Sequence, residues 1–239
     1  MRYDWLWLIF SKIILMKVYT IGHSNQAISE FIVLLKKYQI KALADVRSHP
    51  YSRFLPHFNK EMLQSSIKAE GIYYVYLGQE LGARPKNLSC YVNGKALHNR
   101  IAETPEFIEG LGRICKGAEQ YTIALMCAEQ DPATCHRAIL ISSQLQKKGV
   151  TVEHIHRDGH LETQTQLEDR LLKEQGLVQK LESSNVIQLN FFDPSSQSLI
   201  SQSNPPTREE LVNNAIQAQA DKIAYVDQSL TNNTNESQD

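Results

Sequence analysis

The chain has 239 residues, of which 42% are hydrophobic, so it can form one domain of ordinary size with a buried core. Its net charge of -1 is unevenly spread, because residues 16–176 carry 20 Lys and Arg against 17 Asp and Glu, whereas residues 177–239 carry 3 against 8. This composition excludes a densely basic nucleic-acid-coating protein, and the mildly basic body stays compatible with a polyanionic partner.

Residues 1–15 are predicted to be an apolar leader outside the domain. The run from Trp5 to Leu15 is interrupted by Lys12, is too short to form a stable membrane span, and has no small-residue cleavage site. Our hypothesis is an upstream-start extension, since MKVYTIGHS from Met16 reads as the opening of a domain. A peripheral membrane or packing helix is the alternative.

In a long chain without a secretory signal, the four cysteines predict free thiols in the cytoplasm.

The body alternates strands and helices. Strands are expected at 17–21, 41–46, 72–77, 121–126 and 150–154, and helices at 29–38, 60–69, 105–116, 132–147 and 163–172. This order predicts a single α/β domain over residues 16–176, with a mostly parallel sheet flanked by helices in Rossmann-like layers.

Residues 177–239 read as a polar, largely disordered tail, interrupted by one helix at 208–223. The tail contains QLNFF, which resembles the pentapeptide by which bacterial polymerases and repair proteins bind the sliding clamp. The partner-binding residues of this prediction are Gln188, Leu189, Phe191 and Phe192. A final strand packed on the sheet is the alternative for this segment.

Polar and reactive residues follow four of the predicted strands. Because parallel strands end at the same edge of a sheet, these residues are expected to share one hollow. The groups are Gly22-His23-Ser24, the stretch from Asp45 to Arg53, Gly78 to Gly82 with Glu80, and Cys127-Ala128-Glu129.

The densest stretch is LMCAEQDPATCHR at 125–137. Asp131 followed by Pro132 is a good helix start, and Cys127 at a strand end is either a reactive thiol or a small buried residue. The seven residues between Cys127 and Cys135 do not match zinc-finger spacing, and Ala133 occupies the position where a phosphatase loop needs arginine. We therefore predict no cofactor and assign no metal, while leaving a metal at Cys127, Cys135 and His136 open.

The strings TIGHS, DVRSHPYSR, YLGQELGARP and LMCAEQDPATCHR together resemble the bacterial and archaeal family known as domain of unknown function 488. The resemblance covers about residues 16–172. It implies a compact α/β domain with a site built from these same strings, and it implies nothing about the leader or the tail.

These residues favour an enzyme that removes or alters a base in nucleic acid, with DNA or a nucleotide as partner. The predicted catalytic residues are His23, Asp45, Cys127 and Glu129, with Asp45 activating water. Substrate contacts are predicted from Ser24, Arg47, Ser48, Tyr51, Arg53, Glu80, Cys135, His136 and Arg137. Arg47 and Arg137 are assigned to phosphate, and Tyr51 to stacking.

Two other classes stay open. A thiol-dependent enzyme acting on a small molecule would use Cys127, with Cys135 as the resolving thiol. A non-catalytic nucleic-acid-binding module would need only the aromatic and basic loop after Asp45. Asp45 and Arg47 could then be a structural ion pair.

Overall fold

The computed structural model describes residues 16–178 and 206–231. The apolar leader at 1–15 and the QLNFF motif at 188–192 lie outside the described residues, and both predictions stay as they were made.

A six-stranded sheet forms the centre of the domain. Its strands are β1 (Lys17–Gly22), β2 (Ala42–Asp45), β3 (Tyr73–Tyr76), β6 (Ile123–Cys127), β7 (Thr151–Ile155) and β8 (Leu161–Thr163), and a separate hairpin joins β4 (Tyr91–Val92) to β5 (Lys95–Ala96). The order in the sheet is β3-β2-β6-β1-β7-β8. All neighbouring pairs are parallel except β7 and β8, so the predicted α/β fold with a mostly parallel sheet is confirmed.

Nine α-helices are described, some of them only one turn long. They are α1 (Ile28–Lys37), α2 (Lys60–Ala69), α3 (Gly78–Leu81), α4 (His98–Ala102), α5 (Pro105–Ala118), α6 (Ser143–Lys147), α7 (Gln164–Glu174), α8 (Arg208–Ile223) and α9 (Gln228–Thr231).

Both faces of the sheet are covered, as fully buried parallel strands require. One face packs Leu43, Ala124 and Met126 against α1 and α2. The other face packs Ala44 and Leu125 against α5 and the segment that follows β6. Alternate residues of β2 and β6 thus face opposite layers, which explains why their sequences are apolar throughout.

The segment from Pro132 to Lys147, predicted as one helix, is interrupted. Its parts are a 3₁₀ turn at Pro132–Thr134, an extended Cys135, a π-helical stretch at Arg137–Ser142 and then α6. Asp131 does cap its start, accepting the N–H of Ala133 at 2.9 Å. The prediction was wrong because helical spacing does not reveal a local turn, and the break places Cys135 and His136 beside the strand ends.

Helix α1 begins at Ile28, one residue earlier than predicted, and its N-cap is Ala27. The Glu30 carboxylate accepts the Ala27 N–H at 3.3 Å, so an acidic side chain supplies the capping contact.

The tail helix expected at 208–223 is present as α8. Leu211 and Ala215 on α8 are buried against Leu167 and Leu171 of α7, so this part of the tail packs on the domain. Among the helices of the described ranges, none combines the length and apolarity needed to cross a bilayer.

Candidate functional site at the carboxyl ends of strands 1, 2 and 6

The site lies where the chain leaves two neighbouring strands toward opposite layers. The chain leaves β1 for α1 on one face, whereas after β6 it passes to the other face. Such a switch point opens a crevice beyond the carboxyl ends of the strands. Gly22 is paired with Cys127 in register here, and the His23 N–H donates to the Cys127 carbonyl at 2.9 Å.

Two thiols, an imidazole and a carboxylate meet in this crevice. The donor atoms of Cys127, Glu129, Cys135 and His136 all lie within 4.8 Å of one another. His136 Nδ1 is 3.6 Å from Cys127 Sγ and 3.8 Å from Cys135 Sγ, and Cys135 Sγ is 3.0 Å from Glu129 Oε2. We call these four residues the sulfur cluster.

The orientation of the His136 ring is fixed by backbone. His136 Nε2 lies 3.1 Å from the Val46 carbonyl, which can only accept a hydrogen bond, so Nε2 carries the hydrogen. In the neutral ring, the Nδ1 lone pair then faces both sulfur atoms.

Electrostatics distinguish the two thiols. Burial raises the pKa of Cys127 well above its ordinary value. Burial also tends to raise the pKa of Cys135, but the hydrogen bond from Cys127 and the charge of Arg137 outweigh this effect. The pKa of the Cys135 thiol is therefore lowered. The Glu129 carboxylate lies beside the two buried thiols, although the residue as a whole keeps exposed surface. Burial of the carboxylate raises the pKa of Glu129.

Arg137 braces the loop that carries the cluster. It is fully buried, and its guanidinium donates to the carbonyls of Glu129 at 2.7 Å and Gln130 at 3.0 Å. A side chain without exposed surface cannot hold a substrate phosphate, so the geometry gives Arg137 a different task from the predicted anion clamp.

A second polar cluster surrounds Asp45, which has no exposed surface. Its carboxylate accepts hydrogen bonds from the Arg47 N–H at 3.1 Å, from Arg47 Nε at 2.9 Å and Nη2 at 2.6 Å, and from the Tyr74 hydroxyl at 2.7 Å. With both oxygens occupied, Asp45 is arranged as half of a buried ion pair rather than as a base for water. Arg47 is equally enclosed, which argues against its predicted contact with phosphate.

His23 belongs to this second cluster. Its Nδ1 donates to the Ser24 carbonyl at 2.8 Å, which leaves Nε2 to accept from Arg47 Nη1 at 3.2 Å, and the ring stacks on Phe58. Burial, followed by the charge of Arg47, lowers the pKa of His23 to about 4. The imidazole is therefore neutral and internally bonded at neutral pH.

The loop after Arg47 carries the exposed candidates. Tyr51 and Phe54 are 46% and 78% exposed, and the Arg53 guanidinium lies over the Phe54 ring at 4.8 Å. His49 contacts the Tyr51 ring edge-on. We call residues 48–54 the aromatic loop.

A cavity of about 240 Å³ lies beside this loop and includes Ser48 and Glu80 in its lining. Ser48 Oγ accepts the Arg84 N–H at 3.0 Å, and Glu80 forms an ion pair with Arg113 of α5. Glu80 thus faces this cavity and α5, and its contacts do not include a member of the sulfur cluster.

The expected convergence at one edge therefore divides into two adjacent groups. One group is the sulfur cluster, and the other contains His23, Asp45 and Arg47. The Val46 carbonyl links the two groups through its hydrogen bond with His136. Ser24 adopts a positive φ of 44° and donates its N–H to the Ala128 carbonyl. Sequence reasoning missed Tyr74 and the Val46 carbonyl, because strand register and backbone direction decide both contacts.

The family model described as domain of unknown function DUF488 matches residues 27–143, which include the sulfur cluster and the aromatic loop. The searches of curated proteins and of solved structures found no match. The matched segment contains three of the four strings on which the resemblance rests, and the chain belongs to the DUF488 family, a family of unknown function.

Proposed function

We propose that the protein is an enzyme that processes nucleic acid by removing or altering a base. In this proposal the aromatic loop holds a single strand, and the sulfur cluster supplies the chemistry. The observation that carries it is the exposed aromatic loop, which carries a basic side chain and starts at Ser48. Two residues earlier, the Val46 carbonyl binds His136 of the sulfur cluster.

The loop has the chemistry of a stacking platform. Bases stack on exposed aromatic rings regardless of sequence, and neighbouring cations attract the phosphates. Phe54 is 78% exposed, and the Arg53 guanidinium lies over its ring. Tyr51 and Phe54 expose aromatic surface on the same short loop, which is the kind of grouped apolar surface that binds a partner.

The start of the aromatic loop is linked to the sulfur cluster by a hydrogen bond. Ser48 begins the loop two residues after Val46, whose carbonyl binds His136. Chemistry on a base requires that the base leave the stack and enter a pocket, so a platform next to reactive groups is what such an enzyme needs.

The thiol-dependent alternative is less favoured by this geometry. Cys127 is 3% exposed and Cys135 is 1% exposed, so a substrate could not reach either sulfur without an opening of the crevice. A non-catalytic binding module would share the aromatic loop and would differ only in lacking turnover.

We also propose that Gln188 to Phe192 recruits the protein to the sliding clamp. The support is the sequence motif alone. Titrating a labelled peptide of the tail with purified clamp tests it, and an absence of binding at high micromolar clamp would contradict it.

Binding is tested by fluorescence anisotropy with labelled single-stranded oligonucleotides and the full chain. Replacing Phe54 by Ala should weaken binding about 5- to 150-fold, the range expected for loss of one stacked base. Tyr73→Ala is the matched control, since Tyr73 is 62% exposed but begins β3 at the opposite edge of the sheet. Arg53→Ala should reduce the slope of log affinity against log salt by about 0.7.

Equal affinities of the Phe54→Ala and Tyr73→Ala variants would contradict the proposed binding surface. Turnover is followed by digesting the treated oligonucleotide to nucleosides and separating them by mass. Binding without any changed or missing base across all four bases would favour the non-catalytic module instead.

A further inference from the structure

We propose that Cys127, Cys135 and His136 bind a zinc ion, and that Glu129 lies beside its fourth position as the group that moves protons. Metal binding follows from the donor geometry alone. The catalytic part rests on the proposed function, and the two parts are measured separately below.

The distances from the His136 nitrogen to the two sulfur atoms match those in a tetrahedral zinc site. Zinc bonds to sulfur at about 2.3 Å and to nitrogen at about 2.0–2.1 Å, which places a sulfur and a nitrogen ligand about 3.6 Å apart. His136 Nδ1 is 3.6 Å from Cys127 Sγ and 3.8 Å from Cys135 Sγ. A small adjustment of side chains would therefore suffice to bind the ion.

The imidazole is already oriented as a metal ligand. Histidines that bind metals usually donate their other ring N–H to a carbonyl or carboxylate, which fixes the tautomer and the direction of the lone pair. His136 Nε2 makes this contact with the Val46 carbonyl at 3.1 Å. The free nitrogen consequently points at the two sulfurs.

The surrounding structure holds the ligand loop in place. Arg137 binds the carbonyls of Glu129 and Gln130, and Asp131 caps the turn that brings Cys135 back toward Cys127. Gly22 is required here, because a Cβ at this position would lie 1.8 Å from the Glu129 carbonyl oxygen. Two thiolates would balance the charge of Zn²⁺.

The ligand type selects the metal. Two sulfurs and one imidazole suit a borderline-soft ion such as zinc, whereas magnesium and calcium prefer oxygen ligands. The spacing rule for zinc fingers does not apply, because the ligands come from a strand end and from a turn beside it.

Burial identifies the side of the cluster that lies nearest to solvent. Cys127, Cys135 and His136 are buried, whereas Glu129 keeps exposed surface although its carboxylate reaches Cys135 Sγ, so we place the fourth position on the Glu129 side. Three protein ligands with one open position are typical of catalytic zinc, which lowers the pKa of bound water. A sulfur, sulfur and imidazole set beside a separate glutamate is also the arrangement by which zinc deaminases act on bases.

The reaction that this arrangement fits is hydrolytic deamination of an amino-bearing base. Zinc-bound hydroxide would form a bond to the ring carbon that carries the amino group. Glu129 would pass one water proton to the ring nitrogen, where it stays, and would then pass the proton of the added hydroxyl to the amino group. The C–N bond then breaks, ammonia leaves and a carbonyl remains, with no oxidant or reductant required.

Metal binding is tested on the full-length protein by elemental analysis after removal of loosely bound metal. We expect about one zinc ion per chain, retained in Cys115→Ser and lost in Cys135→Ser. Cys115 is the matched control, since it is a half-buried free cysteine on α5. Replacement by cobalt should give sulfur-to-metal charge-transfer absorption. Absence of zinc from the wild-type protein even after addition of zinc, or equal zinc in both variants, would overturn the metal site.

The open position is tested with Glu129→Gln. This variant should keep its zinc and its affinity for oligonucleotide while losing at least 100-fold of any deamination, which is the order contributed by a general acid–base group. Loss of zinc in Glu129→Gln would make Glu129 a fourth ligand and overturn the open position. Zinc binding without deamination of cytosine or adenine in bound oligonucleotides would overturn the reaction, and zinc binding without oligonucleotide binding would instead contradict the proposed function.

Discussion

Removing the Asp45 carboxylate should destabilise the fold strongly, because it would leave the charge of Arg47 buried without its partner. Asp45 is 0% exposed and Arg47 is 6% exposed, and Asp45 accepts four hydrogen bonds. Breaking a buried pair on one side costs about 3–5 kcal/mol. Since domains are stable by about 5–15 kcal/mol, Asp45→Ala should lose a large part of the total.

Urea unfolding followed by circular dichroism measures this loss. With a slope of about 3 kcal/mol per M, the midpoint of Asp45→Ala should fall by about 1–2 M. Glu70→Ala is the control, since the ion pair of Glu70 with Lys36 is exposed at 37% and 60% and should be worth at most about 1 kcal/mol.

The double variant Asp45→Ala with Arg47→Leu identifies the cause. If the unpaired charge is responsible, removing the guanidinium as well should restore part of the stability. Equal midpoint shifts for Asp45→Ala and Glu70→Ala would refute the reasoning, and would return Asp45 to consideration as a group kept for catalysis rather than for structure.

Three further predictions concern the crevice and its support. Gly22→Ala should lower the free energy of unfolding by about 1–3 kcal/mol, because its Cβ would overlap the Glu129 carbonyl. Gly112→Ala is the control on α5, where the added Cβ meets open space, and it should raise the free energy of unfolding by about 1 kcal/mol. Shifts of the same sign in the two variants would contradict this reasoning. The folded protein keeps His23 neutral down to about pH 4, whereas the unfolded chain binds that proton below about pH 6.5, so stability should fall as the pH drops through this window. Urea unfolding at stepped pH should show a flatter dependence for His23→Gln, and an unchanged dependence would be inconsistent with a neutral buried ring. Leu211→Ala should cost about 2–5 kcal/mol in the same assay because Leu211 is 2% exposed between α7 and α8, and an unchanged midpoint would mean that α8 does not pack there.

The sheet could be predicted from the sequence because its strands are buried on both faces. Segments such as Ile123–Cys127 are apolar at every position, and strong helical patterns such as Lys60–Ala69 separate them. The hairpin at Tyr91–Ala96 and strand β8 were missed, because strands of two or three residues are too short to show a period.

The sheet edge at which the candidate residues meet was predictable, whereas their contacts were not. Parallel strands end together, which brought His23, Asp45 and Cys127 to one edge. Whether a side chain there is free depends on neighbours that sequence spacing does not specify. Asp45 is occupied by Tyr74, a residue of the adjacent strand, and Arg137 is occupied by carbonyls of its own loop. The zinc arrangement was not assigned because finger spacing was expected, whereas a turn and a backbone carbonyl orient these ligands.

X-ray absorption at the zinc edge, recorded on the purified full-length protein, examines the ligand set itself. The sulfur cluster should give two sulfur neighbours at about 2.3 Å and nitrogen or oxygen neighbours at about 2.0–2.1 Å. A spectrum with only oxygen and nitrogen neighbours, or a protein that takes up no zinc when the ion is supplied, would contradict the assignment of Cys127, Cys135 and His136 as a metal centre.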